Sequence, residues 1–293
     1  MVVSASNVDW QHCQEVLRDE VGRVTALLRS IRDPGAAPVV GDWGLAEVAL
    51  HLSQVWLAVP DLARADWSGD DELLPERAGV AGKALVRDIA DLGKATTRMV
   101  RADPERDLGV LADRIEDRAH QYFAQCAGRC ADEPRSWIVQ GVTLPLSAFT
   151  GHLLNETVVH GYDIARAAGR PWWVDPAHAG LVMDRFFLPL LLTADTRKLV
   201  NPDTAAGVHA TFDVRMRARS RFHLHFVFHD GALRVQPPSA RRVDCHLSAA
   251  PVAFLLVFWN RCSQWQAIAK GQLMAWGRKP WLAPRFRSFL TSP

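Results

Sequence analysis

The stretch Gly151-His152-Leu153-Leu154-Asn155-Glu156-Thr157-Val158-Val159-His160-Gly161-Tyr162-Asp163 decides how this chain is read. It lies in a helical segment that starts near Pro145 and stops at Gly169-Arg170-Pro171. A glycine past the last turn with a proline beyond it is a common helix exit. Glu156 and His160 are four apart, so both side chains sit on one helical face, a turn from each other. At about 100° per residue they share an arc with Phe149, Leu153, Ile164 and Ala167. Asn155, Tyr162 and Arg166 fall on the opposite side of that wheel, and His152 sits further round from Glu156. An arc this apolar faces other helices. A carboxylate on it must be protonated, paired or bound to a metal, because an isolated buried charge is expensive.

Working outward, the chain before this helix is also helical. Asp9 can cap a helix running to about Ile31, and Asp33-Pro34-Gly35 breaks it. A second helix starts near Trp43 or Gly44 and stops near Pro60, with Leu45, Val48, Leu52, Val55, Trp56 and Val59 as its apolar arc. A third is expected from Val80 to Ala102 and a fourth from Glu105 to Ala131. Long helices joined by short breaks argue for an up-and-down bundle.

The pattern changes after the exit. Phe186–Leu192 belongs to a further helix, Asp175–Ala194. From about Gly207 the period drops to two: Thr211–Arg217 and Arg221–Phe226 alternate, His229-Asp230-Gly231 is a turn, and Ala232–Val235 returns. Asp244–Leu247 and Gln272–Trp276 are further strands. Ala250–Phe258 reads as a buried helix and Pro280–Leu290 as a last amphipathic one. The fold class expected is α+β with two domains: an N-terminal helical bundle and a small C-terminal α+β module. The change of period falls between Asp195 and Gly207, and the helix before it can belong to either part.

His51, in Glu47-Val48-Ala49-Leu50-His51-Leu52, lies at the edge of the second helix's apolar arc. Bundle interiors build metal sites from side chains on facing helices. Two imidazoles and one carboxylate with an open position suit a catalytic zinc. Spacing alone leaves a purely structural His–Glu pair open beside this reading, and His152 is a rival ligand.

Two motifs carry a resemblance. Trp43-Gly-Leu-Ala-Glu-Val-Ala-Leu-His51-Leu and Asn155-Glu156-Thr-Val-Val-His160-Gly-Tyr-Asp163-Ile-Ala-Arg-Ala-Ala-Gly169-Arg-Pro171 resemble those of the mycothiol-dependent maleylpyruvate isomerase family. Gly271-Gln-Leu-Met-Ala-Trp-Gly277 is similar to the last strand of that family's sterol-carrier-like module. The resemblance implies a DinB-like, metal-binding four-helix bundle over 1–172 and a sterol-carrier-like domain with its lead-in helix over 173–293. It implies metal ligands His51, Glu156 and His160, with Asp163 as a catalytic residue that orients a ligand imidazole or a bound water, or itself transfers a proton. It also implies a divalent metal, zinc by its ligand set, and mycothiol as cosubstrate with a small electrophile. Gly44 departs from the family's Ser or Thr cap, and Phe258-Trp259-Asn260 from its Gly-Arg turn. Two other readings stand beside this one: a non-catalytic protein holding an apolar ligand with a structural metal, and a metal-assisted hydrolase.

Composition bounds the rest. The 293 residues suggest about two domains at roughly 150 residues each. With 34 basic and 32 acidic residues the net charge is +2, which gives no basic field for nucleic acid. The start, Met1-Val-Val-Ser-Ala-Ser, lacks the pattern of a secretory leader, and no apolar run approaches the roughly 20 residues of a membrane span. A cytoplasmic protein without an evident protein partner is expected. Lysine occurs five times, so arginine dominates the basic residues, as in GC-rich sources such as actinobacteria. Five scattered cysteines make no disulfide framework, and Cys126 and Cys130 read as a buried thiol pair on a helix rather than a redox or metal pair. His223, His225 and His229 read as a solvated strand face rather than a second metal site. Trp172-Trp173 reads as packing rather than a cleft lining. No nucleotide-binding or serine-hydrolase motif occurs.

Overall fold

The computed structural model describes residues 5–64, 86, 89–218 and 220–291. The chain divides into two compact units, Met1–Val174 and Asp175–Pro293.

The first unit is helical. Its helices are α1 (Ala5–Ser30), α2 (Leu45–Arg64), α3 (Ile89–Ala102), α4 (Leu108–Cys126) and α5 (Leu146–Ala167). Helix α1 packs on α4 and α5, and α2 packs on the same two, so these four close a ring. Helix α3 packs against α2, outside that ring. The core holds Leu17, Leu28, Leu50, Trp56, Ile115, Phe149 and Leu153, all fully buried. Each side chain of this size contributes about 1.5–3 kcal/mol on burial.

Several boundaries differ from the sequence expectation, each for a local reason. Asp9 lies inside α1 rather than capping it. Helix α2 continues through Pro60 to Arg64. A proline inside a helix costs about 3 kcal/mol, but Val59, Leu62 and Ala63 around it are buried. The start of α2 is held by Glu47, whose Oε2 accepts from the Gly44 amide at 2.6 Å. This is the carboxylate half of a capping box, made without a cap side chain. Of the expected helix from Val80, residues 80–85 and 87–88 lie outside the described residues. Val86 is not helical: it accepts from the Gln140 amide and donates to the Ile138 carbonyl, both at 2.9 Å. Helix α4 begins after the Asp107 cap and ends before Gly128, whose φ of 76° suits only glycine cheaply. Cys130 therefore lies beyond the helix and is exposed, while Cys126 is buried; the two are not a buried pair.

Two short strands, β1 (Pro134–Ser136) and β2 (Thr143–Pro145), lead into α5. Helix α5 has no side-chain cap. The Glu133 and Ala131 carbonyls instead accept from the Leu146 and Ser147 amides at 2.8 and 2.9 Å. At the other end Gly169 takes φ 63° and the Arg170 amide returns to the Ala165 carbonyl at 2.8 Å, the expected glycine exit.

The second unit is α+β. It opens with α6 (Pro176–Val182), a π turn (Met183–Phe187) and α7 (Leu188–Thr193), in place of one regular helix. Pro189 has no amide hydrogen to give one turn back, which fits the widened backbone before it. A 3₁₀ turn (Thr196–Lys198) and the short α8 (Pro202–Ala205) follow. The strands are β3 (His209–Met216), β4 (His223–His229), β5 (Ala232–Gln236), β6 (Cys245–Ala249) and β7 (Leu273–Gly277), with α9 (Pro251–Phe258) and α10 (Gln264–Ala269) between the last two. The sheet order is β5-β4-β3-β6-β7, with β3 and β6 parallel and the other pairs antiparallel. One face is aromatic: Phe212, Phe226 and Phe228 meet Phe286, which follows Pro284 near the C-terminus. That final segment, Pro280–Phe289, is a 3₁₀ helix rather than the α-helix expected, and Pro284 inside it cannot donate a helical bond. No described helix is long and apolar enough to cross a membrane.

Candidate metal centre

Helices α2 and α5 are packed neighbours, and their facing sides bring His51 to Glu156 and His160. One ligand atom from each of the three lies within 4.8 Å of the other two. Oε2 of Glu156 is 3.2 Å from His160 Nε2 and 3.6 Å from His51 Nε2. The two imidazoles stand edge to face, ring centres 4.9 Å apart, and Trp43 lies against His51 at 5.2 Å. Both histidines are buried.

The other oxygen of Glu156 is occupied differently. Asn155 Nδ2 donates to Oε1 at 3.1 Å, and His152 Nε2 is 3.5 Å from the same atom. The helical wheel put Asn155 on the far side and His152 off the arc. Both are buried and both serve Glu156. Trp137 Nε1 donates to His152 Nδ1 at 3.2 Å. The carboxylate is thus divided, with Oε1 held by its own helix and Oε2 turned to the histidine pair.

Asp163 Oδ2 lies 3.1 Å from His160 Nδ1, and Asp163 is buried. The contact fixes the imidazole: with Nδ1–H donated to the carboxylate, Nε2 is the nitrogen that faces Glu156, and a metal there would take the place of its proton.

The charges are unusual for a helical core. Burial pushes Glu156 up, but the three imidazoles that face it, His152, His160 and His51, together outweigh this and hold the carboxyl well below its usual range. Burial opposes charge on His160, but hydrogen bonds to Asp163 and Glu156 raise its pKa to about 9. Burial lowers His51, with Glu156 only partly offsetting it. Burial thus favours the neutral imidazole, and among the described residues its Nδ1 has no hydrogen-bond partner. Its Nε2 lies beyond hydrogen-bond length from Glu156.

These residues fit a divalent ion. Two imidazole nitrogens and one carboxylate oxygen form a donor set suited to zinc and similar metals. A cation among them would compensate the two buried carboxylates and use the His51 lone pair.

The second unit corrects the reading of its histidines. His225 is buried, not solvated. Asp213 on β3 faces three imidazoles: His223 Nε2 at 2.6 Å, His246 Nδ1 at 2.8 Å and His225 Nε2 at 3.5 Å. Burial pushes Asp213 up, yet the bonds from His246 and His223 win and lower it. Trp172 packs on α5 at Gly161 and under the Arg23 guanidinium, while Trp173 is exposed.

The molecule is thus a helical bundle with a buried two-histidine, one-carboxylate cluster, followed by an α+β unit. No family model and no curated protein matches the chain. Similar solved structures include a mycothiol-dependent maleylpyruvate isomerase, with 12% identity over 91% of this chain and 92% of that one and a TM-score of 0.47. A histidine-to-alanine mutant of the mycothiol-dependent maleylpyruvate isomerase gives 10% identity, the same coverage and 0.48. A stereoselective inverting sec-alkylsulfatase from Pseudomonas sp. gives 14% identity over 85% of this chain and 43% of that one, with 0.30.

Proposed function

We propose that this chain is a metal-dependent enzyme of the mycothiol-dependent maleylpyruvate isomerase type. His51 Nε2, His160 Nε2 and Glu156 Oε2 would hold the ion, with zinc the metal that best suits them. The observation that carries the reading is the convergence of these three ligand atoms within 4.8 Å in a buried place. The two sequence motifs around His51 and His160 support the thiol cosubstrate, mycothiol.

A bound zinc would supply one thing: a thiol of pKa near 8.5, mostly protonated at neutral pH, is deprotonated on coordination and becomes a nucleophile. The chain's own residues do the positioning. Asp163 keeps the His160 proton on Nδ1 and leaves Nε2 as the donor. Asn155 and His152 hold Oε1 of Glu156 and leave Oε2 for the ion. A conjugated electrophile would be isomerised by thiol addition, bond rotation and elimination of the thiol; an alkylating one would pass its alkyl group to the thiol sulfur as its leaving group departs or its epoxide C–O bond opens.

The test is elemental analysis of protein purified without an affinity tag, followed by mycothiol titration. About one zinc per chain more in wild type than in His160→Ala, with a thiol-dependent spectral change on a cobalt-substituted sample, is the expected outcome. A metal count in His160→Ala equal to that of wild type sinks the ligand assignment. Metal without thiol binding leaves hydrolysis as the better reading.

A further inference from the structure

The second unit holds another group of ligand-type side chains, separate from the helical centre. His209 opens β3 and His229 closes β4, and the antiparallel register sets them directly opposite each other. Their rings stand edge to face with centres 4.6 Å apart. Asp230 follows His229 in the turn to β5 with φ 46°, a left-handed conformation that aspartate tolerates better than most residues. That turn brings its carboxylate back over the pair: Oδ1 is 2.7 Å from His209 Nε2, and Oδ2 is 3.5 Å from His229 Nδ1. One ligand atom of each lies within 4.8 Å of the other two.

We propose that His209, His229 and Asp230 form a second divalent metal site. The donor set selects the ion class. Two imidazoles and a single carboxylate suit zinc, copper or nickel, whereas calcium and magnesium call for oxygen donors. The sheet supplies the preorganisation, since the two histidines are fixed by backbone pairing and need no loop to order. All three side chains are more than half exposed, so an ion can enter and water can complete its coordination. A metal here ties the start of β3 to the β4–β5 turn.

This inference does not depend on the function proposed above, and the counting experiment separates the two. Zinc is titrated into tag-free, metal-stripped full-length protein and counted by equilibrium dialysis. Wild type is expected to bind one more ion than His209→Ala. Asp230→Asn is expected to weaken that ion's binding about 100-fold, the upper end of what loss of even an indirect partner costs a metal site. His160→Ala should keep this ion whether or not the helical centre binds one. Copper added to isotope-labelled wild type should broaden amide signals around His209 and His229. An equal zinc count in wild type and His209→Ala overturns the proposal, and so does copper broadening centred elsewhere in the second unit. Should a variant fail to fold, the copper map of wild type decides.

Discussion

Trp137 Nε1 points at His152 Nδ1 from 3.2 Å, and this contact sets the proton on a histidine that faces the candidate centre. An indole N–H only donates. His152 Nδ1 must therefore accept, and a neutral His152 carries its proton on Nε2. That nitrogen faces Glu156 Oε1 at 3.5 Å. His152 thus offers Glu156 a donor and offers a metal no lone pair on that side. It is a positioning residue in this geometry, not a ligand. His152→Ala should weaken zinc binding by about 10–100-fold, the cost of losing a partner that orients a ligand. His160→Ala should abolish it at this centre. Trp137→Phe should resemble His152→Ala in direction, because the tautomer is then no longer imposed. Competition with a chromophoric chelator measures all three, and equal loss in His152→Ala and His160→Ala would make His152 a ligand after all.

This detail shows where the sequence was legible and where it was not. Glu156 and His160 announce themselves by their spacing on an apolar arc. His51 stands out as a histidine at the edge of one. Asn155 and His152 were misplaced because a helical wheel assumes one buried face. Helix α5 packs against both α1 and α2 and is buried almost all round through this stretch, Asn155 included. A side chain can then be on the far arc and still be inside. The alternating strands were readable because their sequence alternates in polarity, although β3 is buried on both faces. The parallel pairing of β3 with β6 was not readable, because nothing local encodes a partner thirty residues away. The C-terminal 3₁₀ helix has an apolar stripe that passes for an α-helix until Pro284 is weighed.

Asp163 offers a second test of the centre. Its carboxylate lies 3.1 Å from His160 Nδ1 and gives that nitrogen an acceptor. Asparagine keeps an acceptor oxygen but removes the charge that makes the imidazole a stronger donor to a metal. Asp163→Asn should lower zinc affinity about 10-fold and Asp163→Ala closer to 100-fold, within the range for such partners. Far-UV circular dichroism checks the fold. Unchanged affinity in both variants would remove Asp163 from any role at the centre.

Gly161 sets two effects against each other. Glycine to alanine inside a helix ordinarily gains about 1 kcal/mol. Here a Cβ at 161 would stand 2.8 Å from Trp172 Cζ2, and the ring lies under Arg23, whose guanidinium is 4.3 Å from its centre. Forcing a methyl into a packed site costs about 1–3 kcal/mol, so the steric term wins. Gly161→Ala should destabilise the protein in urea, and adding Trp172→Leu should recover part of the loss. A more stable Gly161→Ala would show that the indole yields freely.

The clasp between α1 and α4 gives the acid dependence. Arg29 grips Glu116 with both arms, Nη1 to Oε1 at 2.8 Å and Nη2 to Oε2 at 2.7 Å, and Thr25 Oγ1 donates to Oε1 at 2.7 Å. The bonds from Arg29, then from Thr25, bring the Glu116 pKa from 4.5 down to about 2. A carboxyl whose folded pKa is depressed stabilises the fold above its unfolded pKa, and that contribution is lost as pH falls through the folded value. The clasp is therefore fully present above about pH 4.5 and gone below about pH 2. Glu116→Gln should be less stable than wild type at pH 6, and the gap should close as pH drops through that window. Because the pair is partly open to solvent, salt should narrow the gap at pH 6 as well. Denaturant midpoints of the two proteins from pH 6 to pH 2 test this, and a gap that stays constant across the window would mean Glu116 is not the titrating group.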